Sequence, residues 1–334
     1  MNTYQKHLES GNTQCLICPR ECELAEGKQG YCRVRQNVNG NIHLISYGYT
    51  TGLAIDPIEK KPLYHFLPGS RILSFGTRGC NMGCLFCQNW SISKSTSGQE
   101  GLRSALPADI AQTAQHYACP SVAFTYNEPT VFFEYALDTA KECRDRGIRT
   151  VAVSAGYMNP EPRAEFYQLI DAVNIDLKAF SNRFYEKNCN SKLDAILDTI
   201  QYIKKETDTW LELTTLIIEG ENDFEDDLKK ECDWIAENTG TATPLHFSAF
   251  RPAWKFQDHS ATRLETLLKA CKIAKAAGLK HVYTGNIPDR NTSATYCEVC
   301  QKPLITRDHY QTEQSGLDRG CCIHCGAKLS GIFL

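Results

Sequence analysis

Between residues 70 and 287, short apolar runs alternate with longer amphipathic ones, and few architectures accept that pattern. The apolar runs fall at 72–76, 121–125, 150–154, 172–177, 210–217, 245–248 and 281–284. Helical stretches lie between them, among them 131–146, 195–206, 223–238 and 262–277. Gly147 and Gly278 stand where a helix is expected to stop. Strands regularly separated by helices build parallel βαβ units, and the repeat length suits a partial or complete βα barrel better than a doubly wound sheet. Such barrels do their chemistry at the C-terminal ends of the strands. Asn127, Glu128, Ser154, Asp176, Lys178, His246 and Asn286 recur near those ends. Each alone reads most simply as a loop or cap residue; their recurrence marks a site.

Directly behind the first strand stand Cys80, Cys84 and Cys87, spaced C-x3-C-x2-C. Three thiolates are what a four-iron cube needs if one iron is to stay open, because each cysteine satisfies one iron. Four-cysteine sites are closed and mainly structural, so a triplet implies chemistry. The chain has 17 cysteines in 334 residues, yet disulfide-dense proteins are usually small and secreted. The N-terminus lacks an apolar signal-peptide core, and no run approaches the roughly 18 apolar residues of a membrane helix. A soluble cytoplasmic protein is expected, with its clustered cysteines as metal ligands. Lys and Arg number 36 against 39 Asp and Glu, which gives no electrostatic signature of nucleic-acid binding or of anionic membranes.

Two more cysteine sets flank the barrel pattern. Cys297, Cys300, Cys322 and Cys325 form two C-x2-C knuckles, the ligand set of a zinc ribbon, and a rubredoxin-like iron would use the same thiolates. Cys15, Cys18, Cys22 and Cys32 follow C-x2-C-x3-C-x9-C, which suits either zinc or an auxiliary iron–sulfur cluster. The scattered Cys119, Cys143, Cys189, Cys232 and Cys271 read as small buried apolar residues, and Cys321, which adjoins a ligand candidate, stays ambiguous. Three domains are expected: a cysteine-rich metal-binding segment at 1–69, the core barrel at 70–288, and a zinc-ribbon-like domain at 289–334. The first should hold a hairpin, 31–38 with 41–47 around Asn39-Gly40, and a proline-rich connector at 56–62 without regular structure.

The run Cys80-Asn81-Met82-Gly83-Cys84-Leu85-Phe86-Cys87 after a first strand resembles the signature of the radical S-adenosylmethionine (SAM) superfamily, Phe86 included. The resemblance implies an α/β fold, a radical SAM partial (βα)6-type TIM barrel with small cysteine-rich N-terminal and C-terminal appendages. It also implies a 4Fe-4S cluster on the three cysteines, with the open iron chelated by SAM. One electron then breaks the sulfur–C5′ bond, and the resulting 5′-deoxyadenosyl radical abstracts a hydrogen. Glu128 occupies the place of the superfamily's Gly-Gly-Glu stretch near the methionine amino group, although Asn127 departs from the glycine there. Ser154, Asp176 and Lys178 resemble contacts to the ribose and carboxylate, and His246 resembles a histidine near the ribose. The plainer readings are a strand-end ion pair for Asp176 and Lys178 and a satisfied core histidine for His246.

Further motifs narrow the resemblance. Cys15-Leu16-Ile17-Cys18-Pro19-Arg20-Glu21-Cys22, Tyr126-Asn127-Glu128-Pro129 and Tyr283-Thr284-Gly285-Asn286 are similar to the AmmeMemoRadiSam-system radical SAM enzyme, a family distantly similar to activases of pyruvate formate-lyase. That family implies Memo-like and Ammecr-like partners, and the chemistry implies an electron donor such as flavodoxin or ferredoxin. Glycyl-radical activation is the alternative activity. Against it, Asp56-Pro57-Ile58-Glu59-Lys60-Lys61-Pro62 stands where such activases usually carry Asp-Gly-Pro-Gly. A non-enzymatic multi-zinc binding module is the alternative of another class. The large βα core, the triplet and the balanced charge speak against it.

Overall fold

Aliphatic and aromatic side chains fill the central strands, and most of these positions are buried, as parallel strands covered on both faces require. The computed structural model describes residues 3–95 and 101–333. The strands are β1 (Arg71–Phe75), β2 (Ser121–Phe124), β3 (Arg149–Ser154), β4 (Ala172–Asp176), β5 (Trp210–Ile217), β6 (Leu245–Ala249) and β7 (Val282–Gly285). Each lies within one residue of an expected run at either end. The helices are α1 (Pro107–His116), α2 (Phe133–Arg144), α3 (Pro160–Tyr167), α4 (Leu193–Glu206), α5 (Glu225–Thr239) and α6 (Leu264–Ala276). α2 starts later than its periodicity suggests, because Pro129–Phe132 forms a 3-10 turn capped by the Glu128 side chain. Gly147 and Gly278 follow α2 and α6 with φ of 68° and 90°, the left-handed geometry that ends a helix.

The chain separates into two compact units. The first comprises Met1–Asp56, Arg71–Ala172 and Asn188–Thr209, and holds β1 to β3 and α1 to α4. In it β2 pairs in parallel with both neighbours, Ala123 lying opposite Ser74 and Val151. The second comprises Pro57–Ser70, Val173–Lys187 and Trp210–Leu334, and holds nearly all of β4, then β5 to β7, α5 and α6. There β6 pairs in parallel with β5 and β7, with His246 opposite Thr214 and Tyr283. The fold is α/β and parallel, as expected. No helix among the described residues is long and apolar enough to cross a membrane.

Two local expectations change. Residues 56–62 are not structureless: Leu53–Pro57 is a strand and Ile58–Lys60 a 3-10 turn. Pro57, at φ −66° and ψ 145°, fits a strand end where its missing N–H is not needed. The hairpin is shorter than the apolar pattern suggests, Arg35–Val38 with Asn41–Leu44, and turns through Asn39 and Gly40 at φ 52° and 76°. Residues 31–34 are diverted into a turn, with Arg33 at φ 65°. Cys119, Cys143, Cys189, Cys232 and Cys271 are all buried thiols.

In the second unit α5 buries Glu231, which accepts a hydrogen bond from the Thr215 hydroxyl. Burial pushes this carboxyl from 4.5 up to about 8. Between those values the folded chain keeps a proton that the unfolded chain has lost, so stability falls as pH rises through the window. Glu231→Gln is therefore expected to raise the Tm above pH 8 and to leave it almost unchanged near pH 4.5. Thermal melts at both pH values check this, and an equal shift at the two would contradict it.

Candidate functional site

β1 ends at Phe75, and the loop that follows has no regular structure of its own, so other elements must hold it. Asn127, just past β2, does much of this. Its Oδ1 accepts from the Thr77 N–H at 2.9 Å, and its Nδ2 donates to the carbonyl of Gly79 at 2.8 Å. On the far side of the cysteines, Asn89 Nδ2 donates to the Tyr126 carbonyl at 2.7 Å. The middle is pinned by the Gly83 N–H to the Cys189 carbonyl (2.7 Å) and the Leu85 N–H to the Asn188 carbonyl (2.9 Å). Gly83 has to be glycine: a Cβ there would lie 2.6 Å from Asn190 Cβ. Gly79, at φ 80°, is held as closely, since its Cβ would sit 2.1 Å from the Cys32 carbonyl oxygen.

On this framework Cys84 is buried and Cys80 and Cys87 are partly exposed. Burial pushes the Cys80 and Cys87 thiols up, while the nearby Lys94 ammonium opposes it at both. The Met82 N–H donates to Cys80 Sγ at 3.4 Å. Lys94 itself donates to the Met82 carbonyl. A bound cation would displace the thiol protons, and these donors favour the thiolates that result. Phe86 is buried beside them.

Glu128 is held by the chain's own donors. It accepts from Ser154 Oγ (2.6 Å), the Ala155 N–H (2.7 Å), Thr130 Oγ1 (2.8 Å) and the Thr130 N–H (3.2 Å). Burial pushes its carboxyl up, and the hydrogen bonds from Ser154, Ala155 and Thr130 pull it back. Glu128 and Ser154 thus form a clasp between the loops after β2 and β3. They shape the site: Oε1 takes the Ser154 and Thr130 donors, and Oε2 takes the Ala155 N–H.

The first unit thus brings Cys80, Cys84, Cys87, Phe86, Asn127, Glu128 and Ser154 to the ends of its strands. In the second unit Asp176 and Lys178 form an ion pair of 2.9 Å at the end of β4. His246 departs from its expected place. It is the second residue of β6, at the start of the strand, where the resemblance wanted a residue after the strand's end. Its Nε2 meets Glu212 Oε2 at 2.7 Å, and Tyr64 packs edge-on against its ring. Burial alone would raise Glu212; His246, His65 and the Tyr64 N–H hold its carboxyl down at about 2. His246 is a satisfied core histidine. Nothing in the spacing of Trp210-Leu211-Glu212 announced the partner, although a carboxylate inside an apolar run was a visible oddity.

The C-terminal cysteines are drawn together by two matching turns. The Cys297 N–H donates to the Lys302 carbonyl, and the Gln301 N–H returns to the Cys297 carbonyl. The Cys322 N–H to Ala327 and the Gly326 N–H to Cys322 repeat the pattern. The sulfurs of Cys297 and Cys325 lie 3.6 Å apart, those of Cys300 and Cys322 3.7 Å apart, and all four fall within 4.8 Å of one another. Four thiolates at ~2.3 Å from one tetrahedral ion would be ~3.8 Å apart, so the set fits a single metal ion. At the other end of the chain, Cys15, Cys18, Cys22 and Cys32 line one pocket with Arg35 and Asn81.

A protein of Methanocaldococcus jannaschii, itself named only as uncharacterized, is 40% identical over 329 residues, 98% of this chain and 97% of its own length. The pyruvate formate-lyase 1-activating enzyme of Escherichia coli K12 is 24% identical over 165 residues, 48% of this chain and 65% of that enzyme. Among solved structures, a radical SAM methyltransferase from Sphaerobacter thermophilus superposes with a TM-score of 0.51 at 12% identity, covering 84% of this chain and 75% of that one, which is a likeness of fold. The family model described as the Radical SAM superfamily matches residues 75–231. That stretch opens on the last residue of β1 and takes in the whole cysteine loop with the strand ends that grip it, and the chain belongs to the radical SAM superfamily.

Proposed function

We propose that Cys80, Cys84 and Cys87 hold a 4Fe-4S cluster with one iron left for SAM, and that the enzyme uses it to take a hydrogen atom from its substrate. The observation that carries this reading is the three-sulfur loop pinned at the end of β1, beside the ends of β2 and β3. Membership of the superfamily makes SAM-dependent radical chemistry the activity of the chain at the coarser level. A cluster held by Cys80, Cys84 and Cys87 would supply the one-electron chemistry that cleaves SAM reductively.

The chain's own part is placement. Asn127 fixes the entry to the cysteine loop, Asn89 its exit, and the Glu128–Ser154 clasp sets the separation of the two neighbouring loops. Phe86, next to Cys87 in the loop, is buried. We assign zinc to Cys297, Cys300, Cys322 and Cys325 as a closed structural site. A one-electron donor of the flavodoxin or ferredoxin kind is the partner the chemistry needs, with Memo-like and Ammecr-like proteins as further partners and the cytoplasm as the setting. The likeness to the activating enzyme over 165 residues favours a second reading, in which the hydrogen comes from a glycine of a partner enzyme. The run 56–62, which lacks Asp-Gly-Pro-Gly, counts against it.

The test is SAM turnover. Protein purified and reconstituted without oxygen is expected to be brown and, with dithionite, to convert SAM to 5′-deoxyadenosine measured by chromatography. A colourless protein that takes up zinc and no iron would overturn the reading.

A further inference from the structure

Two residues of the N-terminal cysteine segment reach the triplet loop, and none of the steps above uses them. Arg20 stands between Cys18 and Cys22, and its guanidinium donates in two directions. Nε binds the carbonyl of Asn81, and a terminal nitrogen binds the carbonyl of Asn190. The guanidinium lies 3.5 Å from the centre of the Tyr31 ring, and the Tyr31 hydroxyl accepts from Asn190 Nδ2 at 3.2 Å. A planar fork stacked on an aromatic ring is a fixed donor, unlike a lysine ammonium on its flexible stem.

Both carbonyls belong to the support of the cysteines. Asn190 follows Cys189, whose carbonyl takes the Gly83 N–H, so Arg20 closes the same two segments that pair there. The Asn81 carbonyl is one end of a peptide unit whose other end is the Met82 N–H, and that N–H donates to Cys80 Sγ at 3.4 Å. A peptide is planar, so holding its oxygen also aims its hydrogen. The Asn81 side chain is buried and anchors the residue from the other side, its Nδ2 donating to the Tyr157 carbonyl at 2.7 Å. A cation on the peptide oxygen polarises the unit and strengthens what the N–H donates, because hydrogen bonds in a chain reinforce one another.

This arrangement has a direction. Reduction adds negative charge to a cluster, and hydrogen bonds to its sulfurs are among the features that set its potential. A donor strengthened by a guanidinium favours the more negative, reduced form. We infer that Arg20 is a positioning residue of the triplet, acting through the Asn81–Met82 peptide on Cys80 Sγ so that a cluster held there is easier to reduce. The inference rests on the cluster reading of the triplet and on no choice of metal at Cys15, Cys18, Cys22 and Cys32.

The experiment is an anaerobic redox titration of the reconstituted full chain without SAM, read by EPR, in the wild type, Arg20→Met and Arg20→Lys. The triplet's signal is the one absent from Cys84→Ala. Arg20→Met is expected to keep its iron and to shift the midpoint of that signal to lower potential. Arg20→Lys keeps the charge but loses the fork, and its midpoint is expected between the two. Should Arg20→Met take up no iron, Arg20→Lys decides by the same comparison with the wild type. A midpoint at or above the wild type's, or loss of iron from both variants, overturns the inference and leaves Arg20 a brace of the fold alone. In that case a wild type that is reduced and cleaves SAM leaves the proposed function intact, whereas a wild type without iron overturns both.

Discussion

Cys84→Ala is expected to reduce formation of 5′-deoxyadenosine to the background of cluster-free protein. Cys84 is the buried member of the triplet, so no water-exposed side chain stands ready to replace its sulfur. With two thiolates left, a second iron of the cube loses its protein ligand and the cluster is no longer held. The backbone around position 84 is anchored by its neighbours, through the Gly83 and Leu85 N–H groups to 189 and 188, and those bonds do not involve the sulfur. The variant should accordingly melt close to the wild type while its activity disappears. Single-turnover assays with dithionite, together with circular dichroism melts, separate the two effects. Full SAM cleavage by this variant would refute the cluster assignment.

Cys322→Ala is expected to release the zinc proposed for the C-terminal cysteines and unfold the segment around it. Its apolar core is little more than Leu304, Ile305 and Leu329 packed on Cys297 and Cys322, too small to fold alone. Structural zinc contributes roughly 10 kcal/mol or more in small domains, comparable with the whole stability of many proteins. The damage should spread through the second unit. The Leu67 N–H donates to the Ile332 carbonyl and the Ile332 N–H to the His65 carbonyl, each at 2.7 Å, and Arg307 donates to the Tyr64 carbonyl at 2.7 Å. Elemental analysis should show the loss of one zinc per chain and a much lower Tm, with iron still bound at the triplet. A variant that keeps its Tm, or that loses iron and keeps zinc, would contradict the structural role.

Much of this was legible in the residue order. The strands announced themselves because a parallel strand buried on both faces has to be a short apolar run, and 210–217 needed no adjustment at all. The cysteine sets were visible because metal ligands impose their own spacing. The hydrogen bonds between loops were not visible. That Asn127 would brace the chain into Cys80, or that Ser154 would meet Glu128, depends on the register of β1, β2 and β3, which places the loop ends side by side. The place of His246 as second residue of its strand was visible in the run 245–248, but its partner Glu212 on the neighbouring strand was not. Arg35 was hidden by its type, since arginine is seldom so deeply buried and its partner Glu134 lies on a distant helix.

The bridge between Phe66 and Ile332 sets an order of events during synthesis. Residues 57–70 are made before β1, yet they belong to the second unit and wait for the last strands of the ribbon. The first unit contains no residue beyond Thr209. On a ribosome that adds residues one by one, the cysteine loop and its braces can therefore close while the ribbon that ties down Phe66 is still unmade.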